Sequence, residues 1–252
     1  MPSGRPSRAT SRSWRKSWSP APERPGCARG RGRGAGGESQ RVSTTRLEAF
    51  SDAVIAVAIT LLVLDIKVPE ASSTSALWHS LGNRWPNYAS YAVSFLVIGI
   101  IWSNHHSLVD VIARVTRPLA LLNVLLLMSI VLIPFSTALL ARYLQEGGGR
   151  SHVAAAVYSL TFVLMSVGFS SVWVYASRGG RLLVPGFTDD EIRRLTIGFS
   201  LGLPIYAVTV GVAFISAPAC LALHAVLAVY YALAQRGGSI QPPAAMGDQA
   251  MP

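Results

Sequence analysis

Charge is what this 252-residue chain has least of: 13% of it is Asp, Glu, Lys or Arg, about half the share found in an ordinary soluble domain. Acids are the scarcer kind, 12 against 22 basic residues, for a formal net charge of +10. With 51% hydrophobic residues and a mean hydropathy of +0.41, the chain lacks the ionic groups that a water-soluble enzyme needs on its surface. Cysteine is nearly absent too. Cys27 lies in a polar stretch and Cys220 in an apolar run, a placement that excludes a disulfide framework. No polar joint carries a nucleophile–base pair, a phosphate loop or paired carboxylates, so catalysis has no visible seat.

The positive charge that is present is concentrated. Residues 1–45 hold ten basic residues and two acids, which is +8 of the +10. Segment 1–44 has no apolar periodicity and contains the run Arg29-Gly30-Arg31-Gly32-Arg33-Gly34, so it is expected to be disordered. It reads as a solvated extension or a start placed too early; contact with anionic lipid or RNA is the functional alternative. No specific nucleic-acid binding is expected, because that needs basic residues on a folded surface. The long basic region and the lack of a small-residue cleavage site argue against a secretory signal, so the first apolar segment should persist.

What remains is long apolar runs. A bilayer core of about 30 Å takes roughly 20 apolar helical residues. Six stretches are expected to span it: 46–67, 88–110, 118–142, 152–176, 194–215 and 217–235. The last two are joined only by Ser216-Ala217-Pro218-Ala219, and Pro204 interrupts the fifth; five spans and a re-entrant segment are the alternative. An even number of spans puts both termini on one side. Beyond the tail, that side then carries Arg46, Arg114, Arg117, Arg178, Arg181, Arg193, Arg194 and Arg236, against Lys67, Arg84, Arg142 and Arg150 opposite. Eight against four is the cytoplasmic bias of basic residues. Trp78, Trp85 and Tyr88 fall at the outer end of the first two spans, where amphipathic rings favour the interface.

The first span is the most informative. Thr45-Arg46-Leu47-Glu48 has the spacing of a capping box at a helix start. It runs into Phe50-Ser51-Asp52 and then the apolar series from Ala53 to Leu64. Arg46 and Asp52 fall in the first two turns, a depth at which ionisable groups usually face protein and find partners. Their spacing of six puts them on different faces, so partners on other helices are expected. An interfacial arginine with a capping acid is the plainer reading.

The pattern R-x-x-x-F-S-D, here Arg46, Phe50, Ser51 and Asp52, resembles the signature of the transmembrane protein 175 family of endolysosomal and bacterial potassium channels. The resemblance takes in Trp102, the His105-His106 pair and the six spans, about residues 45–236. It implies a cation pore lined by the first helix of each repeat. Animal members resemble two tandem six-span repeats; this chain has one signature copy, so a ring of four first helices implies a homotetramer. As in that family, there is no T-V-G-Y-G carbonyl loop.

Val57, Thr60, Leu61 and Leu64 follow helical spacing on one face, and Ala53 extends it by a turn. Such a face ordinarily meets lipid or another helix. By the resemblance it faces the pore: Val57 stands at the apolar constriction, Thr60 where a hydroxyl ring can replace part of an ion's hydration shell, and Leu64 one turn further out. The family more often has Leu or Ile at the Val57 position, which implies a leakier gate here.

Span two carries Trp102-Ser103-Asn104-His105-His106 and Asp110. His106 and Asp110 share a face, so they can pair, and that pairing favours His106 over His105 as the inward-facing ring. Adjacent histidines point to different sides, and no second ligand cluster has metal spacing. The resemblance implies that one of these histidines joins Arg46 and Asp52 in a polar network holding the first three helices, with Asn123 a further member. Asp65 and Lys67 mark the outer mouth of span one, where they could tune cation entry or simply mark the interface. Thr188-Asp189-Asp190-Glu191 reads as an N-cap with acids in the first turn of span five. Gly168, Gly198, Gly202 and Gly211 are expected at close helix approaches.

The expectation is an all-α integral membrane protein of the cell membrane with cytoplasmic termini. It comprises a tail (1–44), a six-helix channel domain (45–236) and a loose C-terminal segment (237–252). Its partners would be lipid, its own copies and permeant monovalent cations, potassium foremost, with no cofactor. No span has the arginine series of a voltage sensor. Two other classes stay open: a proton or small-solute transporter using His224, and a metal or redox protein using His105, His106 and Asp110.

Overall fold

The computed structural model describes the backbone of residues 35–234 and the side chains of 44–233. Cys27, the arginine–glycine run and the C-terminal segment from Gly237 lie outside the described residues, as does Arg236. The described chain is helical, with a single isolated antiparallel bridge and no strand. Helix α1 runs Ala35–Leu61 and tightens into a 3-10 turn over Leu62–Asp65. Then follow α2 (Thr74–Asn83), α3 (Trp85–Asp110), α4 (Arg117–Val131) and α5 (Ile133–Tyr143). Helices α6 (Gly148–Ser177), α7 (Asp189–Ala213) and α8 (Ala217–Ala234) complete the order.

Five stretches are long and apolar enough to cross a bilayer: Thr44–Asp65, α3, α4 with α5, Gly148–Gly180 and α7. Pro134 breaks the third into α4 and α5, and Pro204 is accommodated inside α7, as membrane helices allow when neighbours satisfy the freed carbonyl. The sixth expected span is the shorter α8, whose 18 residues reach about 27 Å. The capping-box reading of Thr45 is corrected: α1 is already helical from Ala35, so Thr45 stands inside a helix. At Thr188 the box is present. Its amide donates to Glu191 Oε2 at 2.8 Å, and the Glu191 amide donates back to Thr188 Oγ1 at 3.3 Å.

The core gathers on α6, which packs against α4, α5, α7 and α8. Tyr158, Phe162 and Trp173 on α6 are fully buried. The Tyr158 hydroxyl meets Ser94 Oγ at 3.0 Å, and Ser94 meets Thr137 at 2.8 Å, joining α6 to α3 and α5. Of the four glycines expected at close approaches, two are. A Cβ on Gly168 would come within 3.0 Å of Leu126, and one on Gly202 within 3.0 Å of Ser166, whereas Gly198 and Gly211 face open space. The bridge Ile112–Leu183, with Ala113 donating to the Leu182 carbonyl at 2.8 Å, ties the α3–α4 joint to the α6–α7 joint. These two arginine-bearing joints therefore lie at the same end of the bundle. Trp78 and Trp85, at the opposite end of α3, are exposed.

Candidate pore face and its anchor

From Ala53 onward α1 is apolar on every side but for Thr60, so packing distinguishes its faces there. Ser51, Ile55, Ala58 and Leu62 recur at intervals of four, three and four, and all are buried against the bundle. The opposite face carries Ala53, Val57, Thr60, Leu61 and Leu64, every one exposed. Val57 is 57% and Leu64 69% exposed, although each could have been packed. Thr60 donates its hydroxyl proton to the Val57 carbonyl at 2.8 Å. The oxygen's remaining lone pairs are thereby turned outward as acceptors.

A directional chain of hydrogen bonds anchors the buried face. His105 Nε2 bonds Asn123 Oδ1 at 2.8 Å, Asn123 Nδ2 donates to Ser51 Oγ at 2.9 Å, and Ser51 donates to the Leu47 carbonyl at 2.9 Å. Because the amide oxygen can only accept, the Nε2 nitrogen carries the proton. This chain links α3, α4 and α1. All three side chains are buried, and the ring of His105 also stands edge-on to Phe169 of α6 at 6.5 Å.

His105 is thus the inward-facing ring, which reverses the preference for His106. Asp110 had suggested the reverse because an i,i+4 pair can form equally well on a helix's outer face. The side chain of His106 is 47% exposed, and its nearer partner is Glu48 of α1, with Nδ1 3.0 Å from Oε1; Asp110 Oδ2 stands 3.9 Å from Nε2. Asp52 accepts from Trp102 Nε1 at 3.0 Å, a second tie between α1 and α3, and Trp102 stacks on His106 with ring centroids 6.0 Å apart. Arg46 does not join the anchor. Within the described residues of one chain it is exposed and makes no hydrogen bond or ion pair, and Phe50 beside it is 52% exposed. Glu48 was missed as a partner because its spacing read as a cap; no pattern in one helix discloses a neighbour on another.

At the other end of α1, Asp65 and Lys67 line a cleft of about 430 Å³ together with Arg84 and Arg142. Arg84 donates to the Lys67 carbonyl at 2.9 Å. Three basic side chains against one acid make this cleft a poor collector of cations. His224 is buried among the rings of Tyr158, Phe162 and Tyr206, with Nδ1 2.9 Å from the Cys220 carbonyl. It packs as a core histidine.

Comparison with known proteins gives a consistent result. Residues 46–134 match the family model described as the endosomal/lysosomal potassium channel TMEM175. A protein of Streptomyces collinus named a potassium channel is 53% identical over 190 residues, 75% of this chain and 92% of that one. A chicken protein named an endosomal/lysosomal proton channel is 33% identical over 146 residues, 55% of this chain and 28% of its own length. Among solved structures, a lysosomal potassium-selective channel TMEM175 homolog from Chamaesiphon minutus superposes with a TM-score of 0.69. It is 37% identical, and the match covers 77% of this chain and 98% of that one.

Proposed function

This chain belongs to the TMEM175 family, and from that premise we propose that four copies surround a potassium-preferring pore lined by α1. The family is one of ion channels, so the chain is a membrane channel and not an enzyme. One observation carries the pore assignment: the apolar face Ala53–Val57–Thr60–Leu61–Leu64 is left uncovered, while the other face of the same helix is packed and anchored.

In the tetramer this face closes on itself. Rings of Val57 and Leu64 exclude water and set the barrier, and a ring of Thr60 hydroxyls offers oxygen acceptors to a partly dehydrated cation. The Ser51–Asn123–His105 chain fixes the rotation of α1, so that this face and no other meets the axis. Arg46, whose side chain has no partner among the described residues, and the exposed Phe50 would then meet neighbouring copies. Asp52 acts through Trp102 as a positioning group. The bias of arginines toward the end holding the α3–α4 and α6–α7 joints supports cytoplasmic termini in the cell membrane.

Flux into liposomes containing the purified protein tests this. Potassium-gradient flux should exceed sodium-gradient flux, and Val57→Ala should raise flux while Thr60→Ala lowers the preference for potassium. No flux from folded protein would overturn the reading. A proton gradient belongs in the same assay, since the chicken relative is named a proton channel. Proton flux without potassium flux would replace potassium as the permeant ion. Chemical cross-linking should stop at four copies.

A further inference from the structure

We propose that Glu48, His106 and Asp110 form a site for a first-row divalent transition-metal ion, which would clamp the inner end of α1 to α3. One donor atom from each lies within 4.8 Å of the others. His106 and Asp110 are four residues apart on the last turn of α3, and Glu48 comes across from α1. Zinc-type ions hold imidazole nitrogen and carboxylate oxygen at about 2.0–2.2 Å, so donors sharing one ion stand about 3.0–3.5 Å apart. Glu48 faces Nδ1 of His106 and Asp110 faces Nε2, so an ion held on one ring nitrogen needs the carboxylate at the other to swing round to it, a rotation open to side chains that are 47% (His106), 26% (Glu48) and 50% (Asp110) exposed.

Two further observations favour a cation there. Among the described residues neither carboxylate has a lysine or arginine partner; both look to the one imidazole for compensation. Glu48 and Asp110, though not His106, also line an open cleft of about 420 Å³ with Thr44, Thr45 and Ala113, through which water and ions reach the two carboxylates. One nitrogen with two oxygens suits zinc or manganese better than calcium, which takes six to eight oxygens, or magnesium, which keeps its waters. The metal would replace a flexible imidazole contact by bonds that cross between the two helices. The site is independent of which ion permeates, and its readout is metal binding.

The test is calorimetric titration of zinc chloride into the chelator-stripped full-length protein in detergent. Cys27→Ser serves as the background, so that the tail thiol is not a competing ligand. One equivalent per chain is expected, weakened about 100-fold by His106→Gln and at least about 10-fold by Glu48→Gln. His79→Gln, in α2, should bind as the parent does. Unchanged affinity in folded His106→Gln protein overturns the proposal, as does calcium binding as tightly as zinc. If His106→Gln fails to fold, Asp110→Asn, at the exposed end of α3, is read by the same criterion.

Discussion

Helices α1 and α6 are both apolar along their spanning lengths, yet they are used in different ways. Half of the most apolar window of α6 is buried inside the chain, against 22% of that of α1. The difference is a matter of partners. Helix α6 is surrounded by α4, α5, α7 and α8, whereas α1 offers one narrow strip to the bundle and leaves the rest for something outside it. Hydropathy reports only that a helix leaves water. It does not distinguish lipid, protein core and the lumen of an assembly, and in a membrane all three accept the same residues.

Substitutions on the two helices should therefore separate stability from conduction. The largest loss of stability is expected from Phe162→Ala in α6. The cavity left among Tyr158, Tyr206 and His224 should cost about 3 kcal/mol, read by unfolding in detergent. Next is Asn123→Ala, which leaves the His105 N–H without its acceptor and removes the bond Ser51 accepts while Ser51 keeps its bond to Leu47, and should cost about 1–2 kcal/mol. Thr188→Ala removes the α7 cap for about 1 kcal/mol, with flux per folded channel unchanged. Smallest in stability is Val57→Ala, within about 0.5 kcal/mol, although its flux should change several-fold. A Val57→Ala protein that unfolded like Phe162→Ala would erase the contrast and place Val57 in a packed core.

What could be read from the sequence follows the same division. Spans one to five and the Thr188 N-cap with its first-turn acids were legible because each depends on neighbours within one element. The uncovered face of α1 was legible as a spacing, but its proposed assignment to a pore comes from the R-x-x-x-F-S-D resemblance, since Val57, Leu61 and Leu64 would suit lipid equally well. Relations across elements were not legible from spacing; that Asn123 meets one of the histidines came only from the resemblance. His105 and His106 are adjacent, and the choice between them rests on Asn123, eighteen residues from His105 on another helix. Gly168 and Gly198 look alike in sequence, and only the proximity of Leu126 distinguishes them. Glu48 matched the third residue of a cap, and only a helix already under way at Ala35 shows that it is free to meet His106.

The 3-10 turn that ends α1 has a consequence for the outer part of the face proposed to line the pore. An α-helix advances about 100° per residue and a 3-10 turn about 120°, so from Leu62 onward side chains three apart eclipse one another. Leu64 is then brought directly above Leu61, about 6 Å further along the axis, where a continued α-helix would have staggered the two. Four such helices would present a leucine sleeve two side chains tall, longer than a single constriction and harder to wet by the movement of one residue.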